Sequence, residues 1–299
     1  MPWTEPELST VPVPGGELTV GRWGNGPRTV LCSHGITANH RSFGQLAWAL
    51  GRRRDDVSLY AVDHRGRGGS ASHPGPYGLG AHADDLRRVL DHLDVASTVL
   101  VGHSMGAFVA ANAAERAPAR VDGLVLVDGA LPIEVSLPED TDIETVVRSV
   151  IGPALERLEI TFASPEAYLD HWREHPAFQG EDFNDVAEAY FRYDLVRDGA
   201  GWRSPVSKAA VLEDGRGPLQ DESARTALRR VEVASTLLWA PRGLLDQEPG
   251  LYPPEMVAAA GAELEQVETV RVEDVNHYSI LMGERGATRV AEAVDHHLR

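Results

Sequence analysis

Short runs of apolar and β-branched residues alternate with longer helical stretches through the first 130 residues of the chain. Strands that are apolar on both faces and alternate with helices form mainly parallel sheets that helices cover on both sides. The pattern therefore predicts an α/β fold with a mostly parallel central sheet. The predicted strands are Glu17–Trp23, Thr29–Cys32, Val57–Val62, Thr98–Val101 and Gly123–Val127, and the predicted helices are Phe43–Leu50, Leu79–Leu93 and Met105–Ala117.

The alternation stops at Leu131–Pro132. From there to about Arg230 the sequence is helical, acidic and poor in strand-forming residues, and strand character returns beyond it. This change predicts a split core, residues 1–131 and 231–299, with a helical cap, residues 132–230, inserted between core strands. The predicted cap helices are Thr141–Leu158, Pro165–Arg173 and Asn184–Val196, and the core resumes with strands Ser235–Trp239 and Glu268–Val272 and helix Ala287–Leu298.

Composition excludes or disfavours several classes of function. The chain has 28 basic and 45 acidic residues, a net charge of −17, and no basic run longer than Arg52–Arg54, which disfavours nucleic-acid binding. Cys32 is the only cysteine and Lys208 the only lysine, so an internal disulfide, a multi-cysteine metal site and a G-K-[ST] phosphate loop are excluded. No apolar run approaches the ~20 residues that span a bilayer, and Met1–Thr10 lacks the features of a signal peptide. We therefore expect a cytoplasmic protein without a membrane partner.

The motif with the most chemical content is Gly102-His103-Ser104-Met105-Gly106, which fits G-x-S-x-G. A predicted strand runs into it and a helix rich in small residues runs out of it. A serine on such a tight strand-to-helix turn is exposed as a nucleophile, and the small neighbours allow close packing. The start of the following helix favours negative charge that develops near the hydroxyl.

A serine nucleophile needs a base, and the base needs an acid that orients it. His277 follows the predicted strand Glu268–Val272, and Asp246 follows the strand Ser235–Trp239, so both are expected in loops at one edge of the sheet. The chain order Ser104, Asp246, His277 is the order expected for this architecture. His82 and His92 lie in a predicted helix near acidic residues and are interpreted as surface residues. His296 and His297 lie in the last predicted helix and are interpreted as part of a packed or solvated face.

On these motifs the sequence resembles the α/β-hydrolase superfamily over essentially its whole length. The matching segments are His34-Gly35-Ile36, the turn Asp63–Ser70, the elbow Gly102–Gly106, the acid loop Gly243–Asp246 and the histidine loop Asn276–His277. The resemblance implies a Ser104–His277–Asp246 triad, an oxyanion hole formed by the backbone N–H groups of Ile36 and Met105, and a helical cap. It implies no metal or organic cofactor.

Some members of this superfamily take the acid from the preceding strand. Asp128 ends the predicted strand Gly123–Val127 and is therefore the alternative acid, and Glu248 is a weaker third choice. Side chains expected near the substrate come from the predicted oxyanion segment, the elbow and the aromatic residues of the insertion: His34, Gly35, His103, Trp172, Phe178 and Tyr190.

The leading functional hypothesis is a serine hydrolase that cleaves a small carboxylic ester or lactone. Cleavage of amide, thioester or carbon–carbon bonds, or ligand binding on a hydrolase scaffold without turnover, stays open as an alternative. The protein is expected to be a monomer or a small homo-oligomer.

Two further motifs are weak. His171–His175 fits the zinc-binding pattern H-x-x-E-H, but Pro176 ends the helix and no third ligand is evident. Gly66–Ala71 fits G-x-G-x-x-A, but it is followed by a proline-rich loop rather than the helix that a dinucleotide site needs.

Overall fold

The protein is built on an eight-stranded sheet that is parallel from its third strand onward. The structure, a computed structural model, describes residues 5–134, 138 and 140–298. The strands of the sheet are β1 (Glu7–Val13), β2 (Gly16–Trp23), β3 (Arg28–Ser33), β4 (Val57–Val62), β5 (Thr98–His103), β6 (Val121–Val127), β9 (Ser235–Trp239) and β10 (Val267–Arg271). The sheet order is β1-β2-β4-β3-β5-β6-β9-β10, with β1 and β2 antiparallel at one edge. The predicted α/β architecture with a mostly parallel sheet is confirmed.

Helices cover both faces of this sheet. The central strands β5, β6 and β9 are buried at every residue except Asp122, because apolar side chains leave them on both faces. Core helices α1 and α11 pack on one face, and α2 and α3 pack on the other. The core helices are α1 (Gly44–Gly51), α2 (Leu79–His92), α3 (Met105–Arg116), α9 (Pro254–Glu263), α10 (Ser279–Met282) and α11 (Glu284–His297).

The segment between β6 and β9 is helical apart from one short hairpin. Its elements are α4 (Ile143–Arg157), α5 (Pro165–Arg173), α6 (Asp185–Tyr193), β7 (Val196–Asp198), β8 (Gly201–Arg203), α7 (Lys208–Leu219) and α8 (Glu222–Arg225). We call this segment the cap. Helix α4 is kinked at Ile151, whose φ and ψ of −122° and 30° are not helical, two residues before Pro153. The cap buries two apolar clusters of its own, one mainly aromatic and one mainly aliphatic.

Two local predictions differ from the structure. The sequence pattern predicts no strand over Glu7–Val13, which forms β1. Only Val11 and Val13 of this edge strand are buried, so its sequence lacks the run of apolar residues that identified the central strands. The predicted helix Asn184–Val196 is also too long. It ends at Tyr193 because Asp194 is drawn into a buried ion pair with Arg157 (Nη1 to Oδ2, 2.6 Å), and Val196 then begins the hairpin.

Candidate active site

Ser104 occupies the turn between β5 and α3. Its φ and ψ are 55° and −123°, a conformation that a residue with a side chain rarely adopts. A Cβ atom on Gly106 would lie 1.9 Å from the carbonyl oxygen of Ser33, and one on Gly102 would lie 2.3 Å from the Gly106 oxygen. The two glycines of the motif are therefore required by backbone contact. Ser104 is partly exposed although both of its neighbours are buried, so its hydroxyl is presented to solvent.

His277 follows β10 and is held by Asp128. Its Nδ1 lies 2.6 Å from Oδ2 of Asp128, which is fully buried directly after β6. The other carboxylate oxygen, Oδ1, accepts a hydrogen bond from the Ala240 N–H at 3.1 Å. Because a carboxylate only accepts hydrogen bonds, Nδ1 of His277 carries the proton and Nε2 is left as the basic nitrogen.

The sequence-based preference for Asp246 as the partner of His277 is corrected by this geometry. Oδ1 of Asp246 accepts a hydrogen bond from Asn276 Nδ2 at 3.0 Å and pairs with Arg242 Nε at 3.0 Å. Its side chain is 35% exposed, whereas that of Asp128 is 0% exposed. Asp246 thus holds the residue before His277 rather than the imidazole itself, and the alternative acid, Asp128, is the one in contact. Glu248 is exposed.

His103 fixes the backbone of the histidine loop. Its Nε2 donates to the carbonyl oxygen of His277 at 2.8 Å. Burial lowers the pKa of His103 to about 3, so the ring is neutral at pH 7 and a single proton on Nε2 makes this bond. The elbow and the histidine loop are therefore joined directly through the residue that precedes Ser104.

The predicted oxyanion residues lie on two segments beside Ser104. Met105 is the first residue of α3, where backbone N–H groups have no partner within the helix. On the other segment, a Cβ atom on Gly35 would lie 3.7 Å from the Ser104 hydroxyl oxygen, so this backbone approaches the serine closely. The side chain of His34 turns back to its own segment, since Nδ1 donates to the Gly35 carbonyl at 2.7 Å, and burial lowers its pKa to about 3.

Ser104 and His277 open into the same pocket. Apart from these two residues its walls are glycine, proline, methionine and hydrocarbon side chains, contributed by the oxyanion segment, the elbow helix, α4, α7 and the loop after β9: Ile36, Met105, Phe108, Ile133, Val147, Val150, Ile151, Gly215, Pro218, Leu219, Leu244 and Leu251. A larger chamber, lined by α4, α5 and the loops that follow β9 and β10, shares Val150, Ile151 and Leu244 with this pocket. The kink of α4 thus lies in the wall between the two spaces.

The aromatic residues expected near the substrate do not line this pocket. Phe178 and Tyr190 are buried in the aromatic cluster of the cap, where Trp172 stacks on Phe191 at a centroid distance of 4.3 Å. Trp172 also borders the larger chamber. The pocket walls instead come from aliphatic residues of α4 and α7, which sequence analysis missed. The signal was present, because Val147, Val150 and Ile151 recur at helical spacing.

Residues 5–134, 138 and 140–298 contain no group of three or more His, Cys, Asp or Glu side chains placed to hold a metal ion. Within the same ranges, every helix is too short or too polar to cross a bilayer.

Comparisons with known proteins agree with this architecture. The family model described as the alpha/beta hydrolase fold matches residues 28–283. The chain is 36% identical over 204 residues to the 2-(acetamidomethylene)succinate hydrolase of Mesorhizobium japonicum, covering 68% of this chain and 67% of that one. It is 35% identical over 151 residues to a serine hydrolase-like protein of Danio rerio, covering 49% of this chain, and it spans only 44% of that relative.

Among solved structures, the thioesterase domain from the curacin biosynthetic pathway superimposes with a TM-score of 0.75. That superposition covers 97% of this chain and 99% of the domain at 20% sequence identity, and so it concerns the fold. The family match spans both sides of the cap and includes Ser104 and His277. The chain belongs to the α/β-hydrolase family.

Proposed function

We propose that this protein is a serine hydrolase that cleaves a carboxylic ester or lactone through an acyl-enzyme. The observation that carries the proposal is that Ser104, on its strained turn, and His277, held by Asp128, face the same pocket. A nucleophile, a base with one free ring nitrogen and a buried carboxylate behind the base are the parts that acyl transfer needs.

In the proposed reaction the Ser104 hydroxyl oxygen attacks the substrate carbonyl while its proton passes to Nε2 of His277. Asp128 stabilises the imidazolium that results. The backbone N–H groups of Ile36 and Met105 bind the tetrahedral oxyanion, each with a contribution of about 3 kcal/mol. The intermediate collapses, the carbon–oxygen bond to the alcohol breaks, and the alcohol leaves with the proton from His277. Water then attacks the acyl-enzyme and gives a proton to His277. The bond between the acyl carbon and Ser104 Oγ breaks, His277 returns the proton to Oγ, and the acid product leaves.

The pocket favours a neutral, aliphatic group beside the scissile bond. None of its lining residues, all of them within the described ranges, is a lysine or arginine. An anionic substituent placed there would lose its hydration without gaining a partner. A doubly charged succinate derivative, such as the relative from M. japonicum hydrolyses, would therefore have to place its carboxylates outside this pocket.

A second candidate reaction is the cleavage of an amide bond. The name of that relative's substrate contains an acetamido group, and the identity of 36% extends over two thirds of both chains. The same residues would act, with His277 giving its proton to the leaving amine.

The test compares purified wild type with Ser104→Ala on aryl esters of increasing acyl length and on the matching anilides. We expect ester hydrolysis by wild type, with a loss of about 10³-fold or more in kcat in the variant. A serine-directed fluorophosphonate should label wild type and leave Ser104→Ala unlabelled. Equal ester hydrolysis by both proteins would refute the proposal, and turnover of anilides alone would favour the second candidate.

Three accompanying expectations from the sequence stay predictions: a small-molecule substrate without nucleic-acid or membrane partners, a cytoplasmic location, and a monomeric or small homo-oligomeric state. Cleavage of a thioester or carbon–carbon bond also stays an alternative. Ligand binding without turnover, another alternative, would be recognised by thermal stabilisation with acyl-chain analogues in the absence of fluorophosphonate labelling.

A further inference from the structure

Asp214 connects the cap to the core from within α7. Its carboxylate is fully buried and receives three donors that belong to the core: the backbone N–H of Gly78, Nε2 of His82 at 2.9 Å, and Nη1 of Arg67. His82, which the sequence analysis assigns to the surface, is therefore buried because it serves this carboxylate. The next residue of α7, Gly215, lines the Ser104 pocket.

Arg67 carries this connection to the oxyanion segment. Its side chain is fully buried, and Nε donates to the carbonyl oxygen of Ile36 at 2.9 Å while Nη1 binds Asp214 and also the Arg65 carbonyl at 2.9 Å. One planar guanidinium therefore bonds the cap helix and the backbone of Ile36 at once. Because its donors form a rigid fork, moving the carboxylate would move the hydrogen bond to Ile36.

Because Asp214 and Arg67 carry opposite charges, this arrangement depends on α7 being docked on the core. Burial raises the pKa of Asp214, but His82 and Arg67 outweigh that effect and hold its pKa below the usual value, so the carboxylate is ionised. If α7 moved away, Arg67 would keep its charge inside the core without this buried counter-ion, which is unfavourable. The cap helix is thus bound to the core by the same groups that fix Ile36.

We propose that Asp214 and Arg67 are positioning residues, which place the Ile36 backbone for oxyanion binding when α7 is docked. The inference rests on the proposed function for its effect on rate, although its structural part is independent of that function. It assigns to the cap a role in assembling the oxyanion site, beyond that of enclosing substrate.

The kinetic test uses Arg67→Lys, with Arg65→Lys as the matched control. Lysine at 67 keeps a positive charge for Asp214 but lacks the fork that also reaches Ile36. Arg65 lies in the same turn and is equally buried in an ion pair, with Asp85, but its other bonds go to Pro14 and Gly75. We expect Arg67→Lys to lower kcat by about 10- to 100-fold with KM changed less than about twofold, since a small displacement of an oxyanion donor acts on the transition state.

Arg65→Lys should leave kcat within about threefold of wild type. An Arg67→Lys enzyme with wild-type kcat, or an equal loss in both variants, would overturn the positioning role.

Hydrogen–deuterium exchange separates this inference from the proposed function. In Asp214→Asn and Arg67→Lys, amides of the segment 33–38 should exchange at least tenfold faster than in wild type, whereas in Arg65→Lys they should not. This readout needs no substrate. Unchanged exchange in Asp214→Asn would overturn the connection between cap and oxyanion segment. A wild type that exchanges as expected but hydrolyses no ester would count against the proposed function alone.

Discussion

Replacing Asp128 with asparagine should cost nearly all of the activity while leaving the site's shape intact. In Asp128→Asn the side-chain oxygen can keep the hydrogen bond from the Ala240 N–H, which lies 3.1 Å from Oδ1. The NH₂ group then faces Nδ1 of His277, 2.6 Å from the present carboxylate oxygen. Since NH₂ is a donor, Nδ1 must become an acceptor and the ring proton moves to Nε2, the wrong tautomer for a base.

The expected loss is about 10⁴-fold in kcat, or roughly 5 kcal/mol at 1.36 kcal/mol per factor of ten. We expect a loss of this size because Asp128 is fully buried, so solvent cannot reach the asparagine amide and help it to reorient. The assay is initial-rate hydrolysis of a short-chain aryl ester by proteins whose folding is verified by circular dichroism and thermal melting. Labelling by fluorophosphonate should slow in proportion.

The matched control is Asp246→Asn, the same chemical change on the neighbouring loop. Both aspartates have positive φ, 45° for Asp128 and 60° for Asp246, which asparagine tolerates. Asp246 contacts Asn276 and Arg242 at a partly exposed position, so we expect kcat within about threefold of wild type. The reverse ranking, with Asp246→Asn the more damaged enzyme, would refute the assignment of Asp128.

Three further outcomes are expected. Gly106→Ala would place Cβ 1.9 Å from a backbone oxygen and should lower the free energy of unfolding by more than about 3 kcal/mol. In the control Gly152→Ala the nearest atom lies at 3.9 Å, and the free energy of unfolding should change by less than about 1 kcal/mol. Equal melting temperatures for the two variants would contradict this expectation. Leu244→Ala should open the wall between pocket and chamber and raise kcat/KM for octanoyl over butanoyl esters several-fold, and an unchanged chain-length profile would count against that wall. Burial lowers the pKa of both His34 and His103 to about 3, so the unfolded chain binds more protons between about pH 6.5 and 3. The free energy of unfolding should therefore decrease as the pH falls through that window, by up to about 1.4 kcal/mol per pH unit for each histidine. Urea midpoints that do not change from pH 7 to pH 4 would argue against this expectation.

The elbow could be predicted because its determinants are local. Gly102, Ser104 and Gly106 are adjacent in sequence, and the strand and helix around them follow from short-range patterns. The same holds for the sheet, whose predicted strands Val57–Val62 and Ser235–Trp239 have the observed bounds. The position of His277 also followed from the strand that precedes it.

The sequence could not show which of two aspartates contacts His277. Asp128 and Asp246 follow strands β6 and β9, which are neighbours in the sheet, so their loops emerge at the same edge. Which carboxylate reaches the imidazole depends on a few ångströms of loop path, and chain order favoured Asp246, which contacts Asn276 and not His277. The aromatic residues of the cap, which were expected near the substrate, differ from the structure for a related reason. The size of a ring predicts that it is buried but not which cavity it borders, and Trp172 and Phe178 are buried against each other.

The position of Asp128 affects how the substrate specificity of this protein can be changed. The loop after β9 supplies Leu244 to the pocket wall, yet the carboxylate that orients His277 comes from β6. Changes around Leu244 that keep Asp246, which holds Asn276, can therefore reshape the pocket wall while the Asp128–His277 contact stays in place. If His277 acts as proposed, such changes are a route to new specificities that keeps the proposed chemistry constant.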